Sequence, residues 1–365
     1  MKISAKARRN ISRVIPFGLI WLITGCVFIL VEIAAMGTYT SDSETVISLS
    51  WTVFAFAMIS VTIVGLMVGM VELIFIADLF KNKSFSAKIF YKLAVYTLMM
   101  LLIISITYPI AASLEMGVSL FDPSVWERFT KFLVSITFLS TLLQMGASLS
   151  LSVIYAGISE NLGHNVLVNF LTGRYHRPRQ EERIFMFLDM RSSTTLAEKL
   201  GHIRYFDLLQ AYYTDLSNAI INNLGEVYQY IGDEVVITWK SSEGLLNNRC
   251  IECFFAMKSD LKKRSAYYEE QFGIVPSFKA GIHIGNVTVG EIGALKKEIF
   301  FTGDVLNVTS RIQGLCNDLN SEILVSADLA QKLDPDNFEL ITRGKSALKG
   351  RIAEMELFAI QRTSR

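Results

Sequence analysis

Residues 226–239 read EVYQYIGDEVVITW, and they give the clearest indication of how the C-terminal half of the chain folds. Two runs of β-branched and aromatic residues flank Gly232-Asp233, a pattern typical of two strands joined by a tight turn. Strand-like runs also lie at Arg183–Leu188, Ser277–Ile284, Asn286–Ile292 and Glu356–Ile360, and helix-like runs at Arg191–Leu200, Tyr205–Leu224, Leu245–Phe272 and from about Val305. This order, with one hairpin at its centre, predicts an α+β domain in which helices cover one face of a mainly antiparallel sheet.

Composition divides the chain into two parts. The 365 residues are 51% hydrophobic and 19% charged, whereas ordinary soluble proteins carry about 25% charged residues. Residues 1–155 contain 19 charged side chains and the other 210 residues contain 50, which predicts a membrane domain followed by a soluble one. A net charge of +1 argues against a dedicated nucleic-acid-binding protein. Four cysteines are too few for a disulfide scaffold, and Cys250 and Cys253 are interpreted as buried helix residues because nothing nearby completes a zinc site.

Four apolar stretches each exceed the roughly 20 residues that a helix needs to cross a bilayer. They are Pro16–Met36, Trp51–Ala77, Leu93–Leu114 and Phe132–Ile154. We therefore expect a four-span transmembrane domain in residues 1–154, a helical linker in residues 155–182 and a soluble domain in residues 183–365. Glu32 and Glu72 lie inside apolar stretches, where an ionisable group marks either a functional site or a helix end within reach of water.

Basic residues predict the orientation of the spans. They precede the first span at Lys2, Lys6, Arg8, Arg9 and Arg13, and they recur in the second loop at Lys81, Lys83, Lys88 and Lys92. The other two loops are poor in basic residues. The positive-inside rule then places the N-terminus, the second loop and everything after the fourth span on the cytoplasmic side of the cell (inner) membrane.

The linker has apolar residues at helical spacing, including Ile158, Leu162 and Val166. Its helix is expected to end near Leu171–Gly173, because glycine terminates helices well and Pro178 follows. Such a helix either transmits packing changes from the spans to the soluble domain or acts as a passive spacer.

Two carboxylates sit at strand ends of the soluble domain. Asp189 closes the first strand and Asp233 occupies the hairpin turn, and the central-hairpin fold makes these positions neighbours in space. Two nearby carboxylates repel each other unless cations hold them, and such oxygen ligands suit Mg²⁺ bound together with phosphates. Taken singly, Asp189 could instead cap a helix and Asp233 could be an ordinary turn residue. The helix expected after Asp189 begins with Ser192, Ser193 and Thr194, whose backbone N–H groups are expected to bind substrate phosphates.

A third element reads GDVLNVTSR at residues 303–311 and contains Asn307 and Arg311. Because they are four residues apart, these two side chains share one face of a helix, while Val305, Val308 and Ile312 supply the buried face. Arg provides a bidentate positive fork suited to phosphate, and Asn provides a hydrogen-bonding amide. The alternative interpretation is a surface pair on an amphipathic helix.

Together these motifs resemble the catalytic domain of class III nucleotidyl cyclases, the adenylate and guanylate cyclases, from Arg183 to the C-terminus. The resemblance implies a ferredoxin-like βαββαβ domain that works as a homodimer in a membrane-anchored, bacterial-type enzyme. It also implies two Mg²⁺ or Mn²⁺ ions per site, and one protomer would supply the metal ligands while the other supplies the transition-state pair. The implied residues are Asp189, Met190 and Asp233 at the metals, Asn307 and Arg311 as the pair, and Lys349 at the phosphates.

The positions that choose the base depart from the family pattern. Adenylate cyclases usually carry Lys four residues before the second aspartate and guanylate cyclases carry Glu, but this chain has Gln229. The partner position, commonly Asp or Thr in adenylate cyclases, is Phe300, and Thr302 is the nearest polar candidate. The expected reaction converts ATP to 3′,5′-cyclic AMP and pyrophosphate for intracellular signalling. A guanylate cyclase acting on GTP and a catalytically silent nucleotide-binding membrane sensor are the alternatives.

Overall fold

The structure, a computed structural model, describes residues 5–36, 50–76, 85–334, 338–346 and 354–363. It divides into two compact units, one of them Arg8–Val168 and the other built on Asn169–Arg365.

The first unit is helical. Its helices are α1 (Ala5–Met36), α2 (Trp51–Met70, continuing as a π-helical turn at Val71–Ile76), α3 (Phe85–Met116), α4 (Pro123–Leu133) and α5 (Ile136–Leu162), followed by α6 (His164–Leu171) at the boundary between the units. Helices α1, α2, α3 and α5 are long and apolar enough to cross a membrane, at Arg9–Ala34, Trp51–Leu73, Ala94–Met116 and Ile136–Glu160. This confirms four candidate spans, with length and composition as the criteria.

The start of the fourth span differs from the sequence-based prediction. Phe132 belongs to the short amphipathic helix α4, which Asp122 caps by accepting a hydrogen bond from the Ser124 N–H at 2.9 Å. Helix α4 buries Val125, Phe129 and Phe132 against the bundle. The sequence predicts a fourth span from Phe132, because the apolar residues of α4 run into those of the next helix. That start was wrong by four residues, since the spanning helix begins at Ile136.

Glu72 is paired inside the helical unit. Its side chain is only 9% exposed, Lys92 Nζ donates to Oε1 at 2.6 Å, and the Tyr96 hydroxyl donates to Oε2. Glu72 therefore joins the π-helical turn that follows α2 to helix α3, and two donors satisfy its charge within the protein. Glu32 is half-buried near the end of α1.

The segment after the fourth span is interrupted. Helix α5 ends at Leu162, and Gly163 adopts φ +84°, a left-handed conformation that favours glycine. Helix α6 then runs to Leu171, within the end point that the sequence predicts. The linker is thus two helices with a break at Gly163 rather than one continuous rod.

The second unit contains an eight-stranded sheet. Its strands are β1 (Arg179–Met190), β2 (Glu226–Ile231), β3 (Glu234–Lys240), β4 (Phe278–Ile292), β5 (Glu298–Thr302), β6 (Ile323–Ser326), β7 (Phe338–Ser346) and β8 (Met355–Arg362). The order is β2-β3-β1-β4-β6-β8-β7, with β5 paired to β4. Among the strands that the structure describes, β4 and β6 pair in parallel and the other pairs are antiparallel. The first four strands have the order of a ferredoxin-like βαββαβ unit, which confirms the predicted fold class.

Helices lie on both faces of this sheet. The main core joins Ile184, Met186 and Leu188 of β1 to the helices that connect the first four strands. Those helices are α7 (Ser193–Leu200), α8 (His202–Asn222), α9 (Ser241–Leu245), α10 (Arg249–Lys263) and α11 (Ser265–Phe272).

On the opposite face, Phe185 and Phe187 pack with β5 and with α12 (Asp304–Gly314). The short α13 (Ala327–Ala330) completes the unit. The prediction of helices on one face was wrong for α12.

Two further element predictions need correction. The strands expected to meet at Gly285 form the single strand β4, and the helix expected over Leu245–Phe272 is divided at Leu246–Asn248 and again at Arg264. Cys250 and Cys253 are fully buried in α10, as the sequence predicts.

Candidate active site

The two aspartates are brought together where β1 ends beside the β2–β3 turn. Gly232, the first turn residue, has φ +63° while Asp233 does not have a positive φ, the pattern of a type II′ hairpin turn. In the strand register Asp189 lies opposite Glu234 of β3 on one side and opposite Lys279 of β4 on the other. Glu234, Asp189 and Lys279 therefore form a row across three neighbouring strands, and Asp233 lies in the turn next to Glu234.

The charges in this row are unbalanced toward carboxylates. Asp189 Oδ2 accepts a hydrogen bond from Gln313 Nε2 at 3.1 Å and lies 3.5 Å from Lys279 Nζ, and the Asp233 carboxyl group is close enough for its charge to act on Asp189. Burial and the neighbouring charge of Asp233 raise the pKa of Asp189 above its usual range. The pKa of Glu234 is raised to about 7, mainly because its carboxyl is partly buried and further because of the negative charges of Asp189 and Asp233.

This donor set fits a divalent cation. Neighbouring carboxylates repel each other and gain from a positive ion between them, and carboxylate oxygens are the ligands that Mg²⁺ prefers. Among the described residues, no three His, Cys, Asp or Glu side chains are grouped closely enough to hold an ion by themselves. Substrate phosphates and water would have to complete the coordination, which is the usual mode for Mg²⁺.

The hairpin and the first helix turn are supported by tyrosines of α8. The Tyr213 hydroxyl donates to the Gly232 carbonyl at 2.8 Å, and the Tyr205 hydroxyl lies beside the Ser193 side chain. Ser192 takes φ +57° just before α7 begins, and Thr194 is exposed. The three polar residues thus follow Asp189 at the N-terminal end of α7, where the sequence predicts them.

Met190 points the other way. Its side chain is 1% exposed and belongs to the main core, behind the face that carries Asp189. Its side chain therefore lies away from the carboxylate cluster, and only its backbone could contribute to a metal site there.

Helix α12 carries Asn307 and Arg311 on the side away from the sheet. Val305, Val308, Thr309, Ile312 and Gln313 form its buried side, while Asn307 is exposed and Arg311 is partly exposed. Over the described ranges of the chain, neither side chain has a hydrogen bond or an ion pair with another residue. The structure therefore does not bring this pair to the carboxylates of the same chain.

The residues predicted to select the base lie on β2 and β5. These two strands are in contact through the rings of Tyr228 and Phe301, which pack edge to face with their centroids 5.0 Å apart. Gln229, Phe300 and Thr302, which flank these two rings, are exposed. Lys349 lies outside the described residues.

The profile of the Adenylate and Guanylate cyclase catalytic domain family matches residues 176–362. The chain belongs to this family. Members of this cyclase family generally use divalent metals, in agreement with the donor set around Asp189.

Individual relatives match part of this chain. Adenylate cyclase 2 of Rhizobium meliloti (strain 1021) is 34% identical over 204 residues, which cover 56% of this chain and 56% of the relative. An adenylate cyclase of Anabaena cylindrica is 27% identical over 184 residues, covering 48% of this chain and 36% of the relative. The chain thus spans about half or less of the length of these curated relatives.

One solved structure shows the fold. A bacterial light-regulated adenylyl cyclase superposes with a TM-score of 0.52 at 21% identity, covering 62% of this chain and 65% of that chain. It confirms the fold of the cyclase domain.

Three residues of the site were not predicted from the sequence. Glu234, Lys279 and Gln313 surround Asp189 in the structure, but strand register and helix packing place them there. Of these three residues, only Gln313 could have been noticed in the sequence, because it is a polar residue next to Ile312 on the mainly apolar side of α12.

Proposed function

We propose that the chain is a membrane-anchored adenylate cyclase that converts ATP to 3′,5′-cyclic AMP and pyrophosphate. The observation that carries this proposal is the division of the site residues: Asp189 and Asp233 form one cluster, while Asn307 and Arg311 face away from it without partners among the described residues. Four candidate spans support membrane anchoring. The basic flanks support a cytoplasmic catalytic unit.

In the proposed reaction the ribose 3′-oxygen forms a bond to the α-phosphorus, the bond from that phosphorus to pyrophosphate breaks, and the hydroxyl proton passes to water. Divalent cations, when bound, would lower the pKa of the 3′-hydroxyl and compensate the charge of the triphosphate. Asp189 and Asp233 would hold these cations, Arg311 would offer its positive fork to the α-phosphate, and Asn307 would orient the ribose. The Met190 carbonyl and Lys349 are assigned to the metals and the phosphates by family resemblance.

We propose a homodimer as the active form. A helix face that carries an unpaired guanidinium and an amide, turned away from its own carboxylates, completes a site only when a second copy presents its carboxylates to it. Each dimer then contains two sites, and each site is made from two chains.

Adenine is the proposed base, because the relatives that match most of the unit are named adenylate cyclases. The Gln229 amide both donates and accepts hydrogen bonds, so it is compatible with adenine and with guanine. A guanylate cyclase is the second candidate on that ground. We expect Ser192, Ser193 and Thr194 to bind phosphates, and Phe300 and Thr302 to border the base.

The decisive test combines two inactive chains. Asp189→Asn and Arg311→Ala should each abolish cyclase activity of the purified full-length protein with Mn²⁺. Mixed dimers isolated with two affinity tags should regain up to half of the wild-type activity, because one of their two sites contains intact residues from both chains. No recovery would refute the shared site.

Product identification separates the nucleotides. Wild-type protein is incubated with equal ATP and GTP, and mass spectrometry measures the products. We expect mostly cyclic AMP. A cyclic GMP majority would assign the guanylate reaction, and no cyclic product from either nucleotide would favour the silent sensor.

A further inference from the structure

Gln313 is a buried amide with an unusual partner. It is 7% exposed, and its Nε2 donates to Asp189 Oδ2 at 3.1 Å, across 124 residues of sequence. The other residues of α12 on that side are mainly apolar and pack against β1, β4 and β6. A polar side chain in such surroundings is costly unless its hydrogen bond is made.

The backbone around Gln313 is held firmly against the sheet. A Cβ atom at Gly281 of β4 would lie 2.3 Å from the Gln313 N and 2.7 Å from its Cα, so α12 approaches the strand as closely as a glycine permits. Gln313 therefore reaches Asp189 from a fixed position rather than from a mobile side chain on the surface.

Gln313 differs from the other partner of Asp189. Lys279 Nζ also approaches Oδ2, at 3.5 Å, and brings a positive charge that competes with a bound cation. The Gln313 amide is a neutral donor, so it orients the carboxylate without repelling a metal ion. Such donors behind a ligating carboxylate strongly affect metal affinity.

We propose that Gln313 is a positioning residue that holds the Asp189 carboxylate of its own protomer in place for divalent-cation binding. The proposal rests on the proposed function and extends it. Asn307 and Arg311 lie on the opposite side of the same helix, so α12 supports the metal site of one chain and presents the transition-state pair to the other chain.

The first experiment measures Mn²⁺ affinity in Gln313→Met, which keeps the length of the side chain and removes the donor. The Mn²⁺ concentration for half-maximal activity should rise about 10-fold, while kcat at saturating Mn²⁺ stays within about 3-fold. Electron paramagnetic resonance of Mn²⁺ titrated into the protein with 3′-deoxy-ATP, which supplies the phosphates but has no 3′-hydroxyl to react, should show the same shift. The exposed Gln331→Met is the matched control and should leave both values unchanged.

Unchanged Mn²⁺ binding in both measurements would overturn the proposal. If Gln313→Met does not fold, as judged by thermal unfolding, Gln313→Ala is measured in the same way and carries the same expectation. A loss of kcat with normal Mn²⁺ affinity would also contradict a positioning role toward the metal ligand.

The second experiment places the substitution in one chain of the mixed dimer described above. Gln313→Met in the chain that keeps Asp189, the Arg311→Ala chain, should weaken Mn²⁺ activation about 10-fold. The same substitution in the Asp189→Asn chain should change it less than 2-fold. Equal effects from both chains would refute action on the protomer's own aspartate, whereas failure of the unmodified mixed dimer to recover activity refutes the shared site instead.

Discussion

At the scale of single residues, Glu234 is the acid whose charge this site disfavours most clearly. It is half-buried beside Asp189 and Asp233, and its pKa is raised to about 7. An acid with a pKa raised by folding destabilises the folded state as pH rises from its ordinary pKa near 4.5 to the raised value. Without a metal ion, the wild-type catalytic unit should therefore lose stability between about pH 4.5 and pH 7.

Glu234→Gln removes that loss. Because half of the carboxyl is still solvated, the expected gain at pH 8 is about 1 kcal/mol rather than the full equivalent of the shift. At pH 4 the variant and the wild type should unfold at the same temperature. Thermal unfolding in excess EDTA measures this, with exposed Glu198→Gln as the control. An equal gain at both pH values would show that packing, not ionisation, causes it.

The residues around Asp189 show which parts of a site a sequence reveals. Asp189 and Asp233 could be paired in advance because the central hairpin makes their strand ends adjacent. Lys279 could not be assigned, because its position depends on the antiparallel register of β1 with β4, which neighbouring sequence does not determine. Gln313 depends on how α12 docks, a contact between segments more than a hundred residues apart.

At the scale of elements, two glycines of β4 record the packing of α12. The sequence predicts a strand boundary at Gly285, but the strand continues through it. Gly285 instead makes room for the Val305 side chain, because a Cβ atom at this position would lie 2.7 Å from a Val305 methyl carbon. Gly281 admits the α12 backbone itself. Glycine in a strand can mark close approach as well as a turn, and only the docked helix distinguishes the two.

Gly281→Ala should therefore cost more than Gly285→Ala. At Gly281 the new methyl group meets backbone atoms of Gln313 and Thr309, which cannot move without shifting α12, so we expect a loss of about 3 kcal/mol and weaker Mn²⁺ binding. At Gly285 it meets the end of a valine side chain, and a loss of about 1 kcal/mol is expected. Chemical unfolding compares the two, and equal losses would argue against a backbone clash at Gly281.

At the scale of the whole molecule, the chain consists of two units with separate cores. A chain of this kind need not unfold in a single step, because each unit has its own balance of burial and conformational entropy. We expect two calorimetric transitions for the full-length protein in detergent. Glu234→Gln should shift the transition of the sheet-containing unit, and a substitution in the Glu72–Lys92 pair should shift the transition of the helical unit.

Glu72→Gln leaves Lys92 without its carboxylate beside α2 and α3. Breaking a buried pair costs about 3–5 kcal/mol, and because Lys92 is 31% exposed the expected loss is smaller, about 2 kcal/mol. For a unit of this size that lowers its transition by about 4–8 °C. Adding Lys92→Met removes the unpaired charge and should restore most of the loss. The second transition, identified by its response to Glu234→Gln, should not move; if both transitions shift together in scanning calorimetry, the two units unfold cooperatively and the expectation of independent units is wrong.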